Sequence, residues 1–122
     1  MCHTDCDTNA PWLALEFLEP VKVTRVDIYN WRGECGHCAA RARNLEVRVT
    51  DELPTSEEQM YTGGQLLGTF QGPGTIGQLI RMESSAKTGR YVLVQMNHTS
   101  CLSFHEVEVF GSVSTGIEST KK

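Results

Sequence analysis

The stretch Trp12-Leu13-Ala14-Leu15-Glu16-Phe17-Leu18 alternates, so that an extended backbone sends Leu13, Leu15 and Phe17 to one face. A second stretch, 91–96, does the same with Val92, Val94 and Met96. The two apolar faces are expected to meet in a core. On either side of these stretches, β-rich runs recur at 21–29, 45–49, 66–70, 78–82 and 104–110. Short strands at such spacing predict an all-β fold, an antiparallel β-sandwich.

The connections carry turn chemistry. Glu19-Pro20, residues 51–58, Gly63-Gly64, Gly72-Pro73-Gly74 and Thr88-Gly89 supply fixed prolines and glycines able to take positive φ. A helical turn is expected within 51–64. A helix at 39–44 is too short to stand without tertiary support. With no internal repeat and no longer helical period, an α/β fold is poorly supported. Residues 1–111 form one domain, and the polar, Ser- and Thr-rich 112–122 reads as a flexible tail.

At 122 residues the chain suits a single core. Its net charge of −4 is scattered, with no basic block to follow a phosphate backbone, so nucleic acid is not an expected partner. No apolar run is long enough to insert in a membrane, and the start lacks the apolar stretch of a signal peptide. Five cysteines (Cys2, Cys6, Cys35, Cys38 and Cys101) are many for a short intracellular chain. Two close pairs and a distant single suggest two disulfides, one unpaired thiol and an extracellular setting. Asn97-His98-Thr99 is an N-glycosylation sequon and fits secretion.

The functional expectation falls on 31–43, a connection at one end of the sandwich where binding loops sit. Arg32 and Arg41 flank a tight cysteine pair, and a guanidinium offers a planar fork of donors suited to vicinal hydroxyls. Glu34 could orient one fork by an ion pair. The plainer reading makes Arg32, Glu34 and Arg41 a solvated surface network. Trp31, beside Arg32, is the better sugar-stacking candidate, whereas Trp12 sits in an apolar strand and reads as core. His98 and His105 read as surface or interstrand residues. No catalytic Ser, His and Asp set or carboxylate pair is recognisable, so an enzyme is not expected.

Separated segments from Pro11 to Gly111 carry a family resemblance: Pro11-Trp12, Val23-Thr24-Arg25-Val26, Arg32-Gly33-Glu34-Cys35, Glu46-Val47-Arg48-Val49, Gly89-Arg90-Tyr91-Val92 and Glu106-Val107-Glu108-Val109. The chain resembles the F-type, fucolectin-like lectin domains. That resemblance implies a discoidin-like jelly roll and binding of fucosylated glycans by a histidine, two arginines and a disulfide. Arg32 and Arg41 match the arginines, Cys35 and Cys38 the disulfide, and His3 the histidine. Glu34 stands where the family usually has Asp, and Cys35 and Cys38 are separated by two residues where the family often has them adjacent. The resemblance also implies that Cys2, or Cys6 in its place, bridges Cys101, that an opening strand precedes this chain, and that Glu106 matches an acidic calcium ligand. Calcium wants six to eight oxygens, so weak or no calcium binding is expected here.

Two other readings of the cysteines remain open at this point. Cys35-Gly36-His37-Cys38 reproduces a dithiol redox motif, although such sites need a long helix after the motif. Alternatively Cys2, His3, Cys6, Cys35, His37 and Cys38 could offer a zinc set. A lectin with one small-sugar site should bind weakly alone, so avidity is expected from oligomers or tandem domains. The competing expectation is a sandwich interaction module that has lost sugar binding.

Overall fold

The computed structural model of the chain describes residues 2–3, 8–55, 59–113 and 118–119. Strands β1 (Cys2–His3), β2 (Thr8–Asn9), β3 (Trp12–Asn30), β4 (Leu45–Thr50), β5 (Gln65–Phe70), β6 (Leu79–Met96), β7 (Thr99–Ser100), β8 (Ser103–Val113) and β9 (Glu118–Ser119) are joined by one short helix, α1 (Gly36–Ala40). Every pairing is antiparallel. The main sheet is ordered β1-β8-β3-β6-β4-β5 with β9 added to β8, while β2 pairs with β7 separately.

Two long strands fold this sheet into a sandwich. Residues 12–16 of β3 pair with 91–95 of β6; after a register shift between Glu16 and Val21, residues 21–29 pair with 79–89 of β6 and with β8. One layer therefore holds β5, β4 and the adjoining halves of β6 and β3, and the other holds their remaining halves with β8 and β1. Val47, Val49, Val92, Val94, Met96 and Leu67 from the first layer share one core with Val23, Val26, Ile28, Ile80, Met82, Val107 and Val109 from the second. Each such side chain contributes roughly 1.5–3 kcal/mol on full burial. The layers touch closely: a Cβ on Gly68 of β5 would lie 3.0 Å from the Cβ of Met82.

Two expectations are corrected. The runs at 12–18 and 21–29 are one strand, because Glu19-Pro20 makes a corner rather than an ending, with Leu18 thrust into solvent at 97% exposure. Likewise 78–82 and 91–96 lie on one β6, whose Gly89 packs under β4: a Cβ there would sit 2.7 Å from the Thr50 carbonyl oxygen. The faces of the two alternating stretches do meet in the core, as neighbours within one layer. They lie side by side, with Leu13 opposite Val94 and Leu15 opposite Val92 in neighbouring strands.

Trp12 is half-buried. No helical turn occurs among the described residues of 51–64, of which 56–58 lie outside the description. Strand β8 runs through Ser112 and Val113, and β9 pairs back onto Gly111 and Ser112, so the 112–122 segment contains paired backbone. No helix among the described residues is long and apolar enough to cross a membrane.

Candidate functional site

Strand β3 ends on Asn30, a wholly buried amide that organises one end of the sandwich. Its backbone N–H donates to the Gln78 carbonyl at 2.9 Å, and its Nδ2 donates to the carbonyls of Ala39 and Thr75, each at 2.9 Å. It thereby clasps two loops, 31–44 and 71–78. The lacing continues with Gly77 N–H to the Trp31 carbonyl at 2.7 Å, Gly74 N–H to Ala42 at 2.8 Å and Asn44 N–H to Gln71 at 3.0 Å. Gly74 must be glycine for this fit, since a Cβ would lie 2.6 Å from Asn30 Nδ2.

Within the first loop, Cys35 caps α1: its sulfur accepts from the Cys38 N–H at 3.2 Å, and the two cysteines form a disulfide. The helix thus begins at Gly36 and ends at Ala40, earlier than the predicted 39–44, because the cap and the bridge fix its first turn. Buried Ala39 and Ala42 anchor it to the body. His37 is exposed, with Nε2 3.3 Å from the Cys35 sulfur.

Two of the three arginines of this loop, Arg32 and Arg41, reach the segment at the start of β8, while Arg43 donates from Nε to the Ala40 carbonyl at 3.2 Å. Exposed Arg32 has Nη1 3.2 Å from His105 Nε2, and half-buried Arg41 donates from Nη1 to the sulfur of Cys101 at 3.3 Å. Cys101 is fully buried and disulfide-bonded; the expected partner, Cys2 or Cys6, has a side chain outside the described residues. Backbone pairing sets His3 opposite Ser103, on the strand that carries His105, while the His3 side chain also lies outside the description. Trp31 is half-buried against its own loop, where a Cβ on Gly33 would lie 2.7 Å from the Trp31 Cζ2. Its buried Nε1 has no hydrogen-bond partner among the described residues.

Several sequence expectations change here. Glu34 is exposed and makes no ion pair among the described residues, so the orienting partner of Arg32 is an imidazole and not Glu34. The zinc reading loses its thiolates, because Cys35 and Cys38 are joined to each other. The dithiol reading loses its long helix: five residues of α1 lead directly into the connection to β4. His105 reads from the sequence as a surface or interstrand residue, and it is indeed exposed on β8, but its meeting with Arg32 is not signalled there. Only its place at the head of an alternating strand, next to a functional loop in space, could have flagged it.

Beside the site, half-buried His98 is pushed below the ordinary imidazole range, chiefly by burial and secondarily by the charge of Arg43. Glu106 is exposed on β8 opposite Tyr29. Among the described residues Glu106 belongs to no group of three or more His, Cys, Asp or Glu side chains close enough to share an ion.

No family model matches the chain, and no curated protein matches it. Solved structures do. The lectin domain of lectinolysin, complexed with Lewis b antigen, aligns with a TM-score of 0.67 at 24% identity over 91% of this chain and 71% of its own. A serum fucolectin of the striped bass Morone saxatilis aligns at 0.68 and 30% identity, over 89% of this chain and 35% of its own. The chain has an F-type lectin fold. A Streptococcus pneumoniae fucose-binding module shares that F-type lectin fold at a TM-score of 0.63 and 25% identity, over 89% of this chain and 68% of its own. The laced end around Asn30 is therefore one end of an F-type lectin-like sandwich.

Proposed function

We propose that the chain binds terminal fucose or a related deoxyhexose on glycans through Arg32 and Arg41. The observation that carries this reading is Arg32: an exposed guanidinium at a loop end, steadied by the His105 imidazole and with no carboxylate partner among the described residues. One N–H engages the imidazole, and the rest of the fork is left for sugar hydroxyls and a ring oxygen. Arg41 offers the second fork, the Cys35–Cys38 bridge an apolar surface for ring carbons, and Trp31 a rim. His105 joins His3 as a candidate for the histidine contact. No covalent step is involved, and the protein is not an enzyme in this reading.

Charge-assisted hydrogen bonds contribute about 1.5–3 kcal/mol each, offset by desolvation and lost motion, so one site binds weakly. Oligomers, tandem copies or a longer parent chain supply the avidity, in an extracellular setting. Calcium contributes little or nothing in this reading, because it wants six to eight oxygens and Glu106 belongs to no ligand group of three or more among the described residues. Arg32→Ala is expected to abolish glycan-array binding while leaving the melting temperature unchanged, and unchanged array binding overturns the assignment.

A second reading, a sandwich module that has lost sugar binding, is favoured by one observation: Glu34 does not brace Arg32. Isothermal titration of the intact protein with free fucose separates the two readings. Saturable heat supports the lectin, and its absence at high fucose supports the module.

A further inference from the structure

The chain has a single Asn-x-Ser/Thr triplet, Asn97-His98-Thr99, and the sugar site makes no use of it. The fold puts this triplet where a modifying enzyme and a bulky product can both be accommodated. Strand β6 ends at Met96, and Asn97 stands exposed in the bend before β7, with no side-chain hydrogen bond among the described residues. Its backbone is fixed by an N–H bond to the Asn44 carbonyl at 3.0 Å, so the exposed carboxamide projects from a defined point. Thr99 is exposed as well, its hydroxyl donating to Asn9 Oδ1 at 3.1 Å.

Asn97 also lines a surface depression of about 280 Å³, together with Asn44, Met60, Thr69, Phe70 and Gln71. That volume is near the lower limit of small-molecule sites, roughly 300 Å³. The lining suits an N-acetylhexosamine: Phe70 and Met60 are half-buried and offer apolar contact to the C–H face of a ring, and the amides of Asn44 and Gln71 are exposed and offer both donors and acceptors.

We propose that Asn97 carries an N-linked glycan whose first N-acetylglucosamine lies in this depression. In the transfer, Asn97 Nδ2 attacks C1 of the sugar on a lipid-linked diphosphate donor. The Nδ2–C1 bond forms, the C1–O bond to the diphosphate breaks, the diphosphate leaves and the amide loses one proton. The inference shares with the lectin reading only the extracellular setting, and it stands or falls separately from Arg32.

The full chain is secreted from a eukaryotic host behind an added signal peptide, and its intact mass is measured before and after peptide-N-glycosidase treatment. The wild type and Thr99→Ser, which preserves the sequon, are expected to carry a glycan that the enzyme removes. Asn97→Gln and Thr99→Ala are expected to carry none. A secreted, folded wild type with the bare polypeptide mass overturns the modification. Hydrogen exchange then tests the seat: amides of 44–46 and 69–71 are expected to exchange more slowly in the glycosylated than in the deglycosylated protein. Identical exchange overturns the placement in the depression. Arg32→Ala is expected to keep the full glycan mass, so failure of sugar binding and failure of modification are read independently.

Discussion

The outer face of the second layer and the laced loop end both display arginines, and they hold them in opposite ways. On the sheet, Arg81 spans both oxygens of Asp27, through Nε at 2.9 Å and Nη2 at 3.0 Å. Arg25 lies 3.5 Å from the same carboxylate and stacks over Phe110 at 3.9 Å. Asp27 is only 1% exposed, and its hydrogen bond pushes the Arg81 guanidinium above its ordinary range. Nearby, Tyr29 bonds to Glu108, which pushes the phenol up. At the loop end Arg32 instead meets an imidazole by a single nitrogen. A carboxylate with two oxygens occupies the whole fork and makes the arginine part of the scaffold, whereas an imidazole orients the group and leaves most of its donors for a ligand.

Removing the clasp breaks the contrast most severely. Asn30→Ala removes two side-chain hydrogen bonds from a wholly buried position, and although the Ala39 and Thr75 carbonyls keep backbone donors from Ala42 and Gln78, it should cost about 3 kcal/mol in chemical denaturation while weakening sugar binding, since both loops lose their shared anchor. Asp27→Asn should cost about 2 kcal/mol of stability, because Arg81 and Arg25 keep partial access to solvent, and should leave fucose titration unchanged. A loss of sugar binding in that variant would erase the distinction between the two regions.

His105→Ala sharpens the comparison from the other side. The melting temperature should barely move, and fucose affinity should fall about fivefold, the loss of roughly 1 kcal/mol of orientation for Arg32. The smallest effect concerns pH. The His98 imidazole is held below its ordinary value in the fold, so the unfolded chain takes up that proton more readily. Its contribution to stability is complete above a pH of about 6.5 and is lost as the pH falls through that value toward the lower folded pKa. His98→Gln should flatten that part of the curve of melting temperature against pH.

The layers and core were legible in the chain because alternation survives any choice of partner: Val92, Val94 and Met96 are buried wherever their strand is placed. The identity of neighbours was not. Glu19-Pro20 carries turn chemistry, yet a corner within one strand and a link between two strands use the same residues, and only pairing across the sheet tells them apart. The arginines and the cystine of the loop stood out by local spacing. His105 did not, because its meeting with Arg32 joins positions 73 residues apart, and nothing near Phe104-His105-Glu106 signals it. The starting point of α1 was hidden for a related reason: the cap is a cysteine sulfur, which propensity does not rank among capping groups.

Strands β3 and β6 each pass through both layers, so the sandwich is topologically one ribbon doubled over and not two sheets pressed together. Neither layer can peel away without dragging out strands that form the middle of the other. Thermal opening should accordingly lack a half-sandwich stage: central amides of β3 and β6 on either side of the corner should exchange with the same free energy, as members of one cooperative unit.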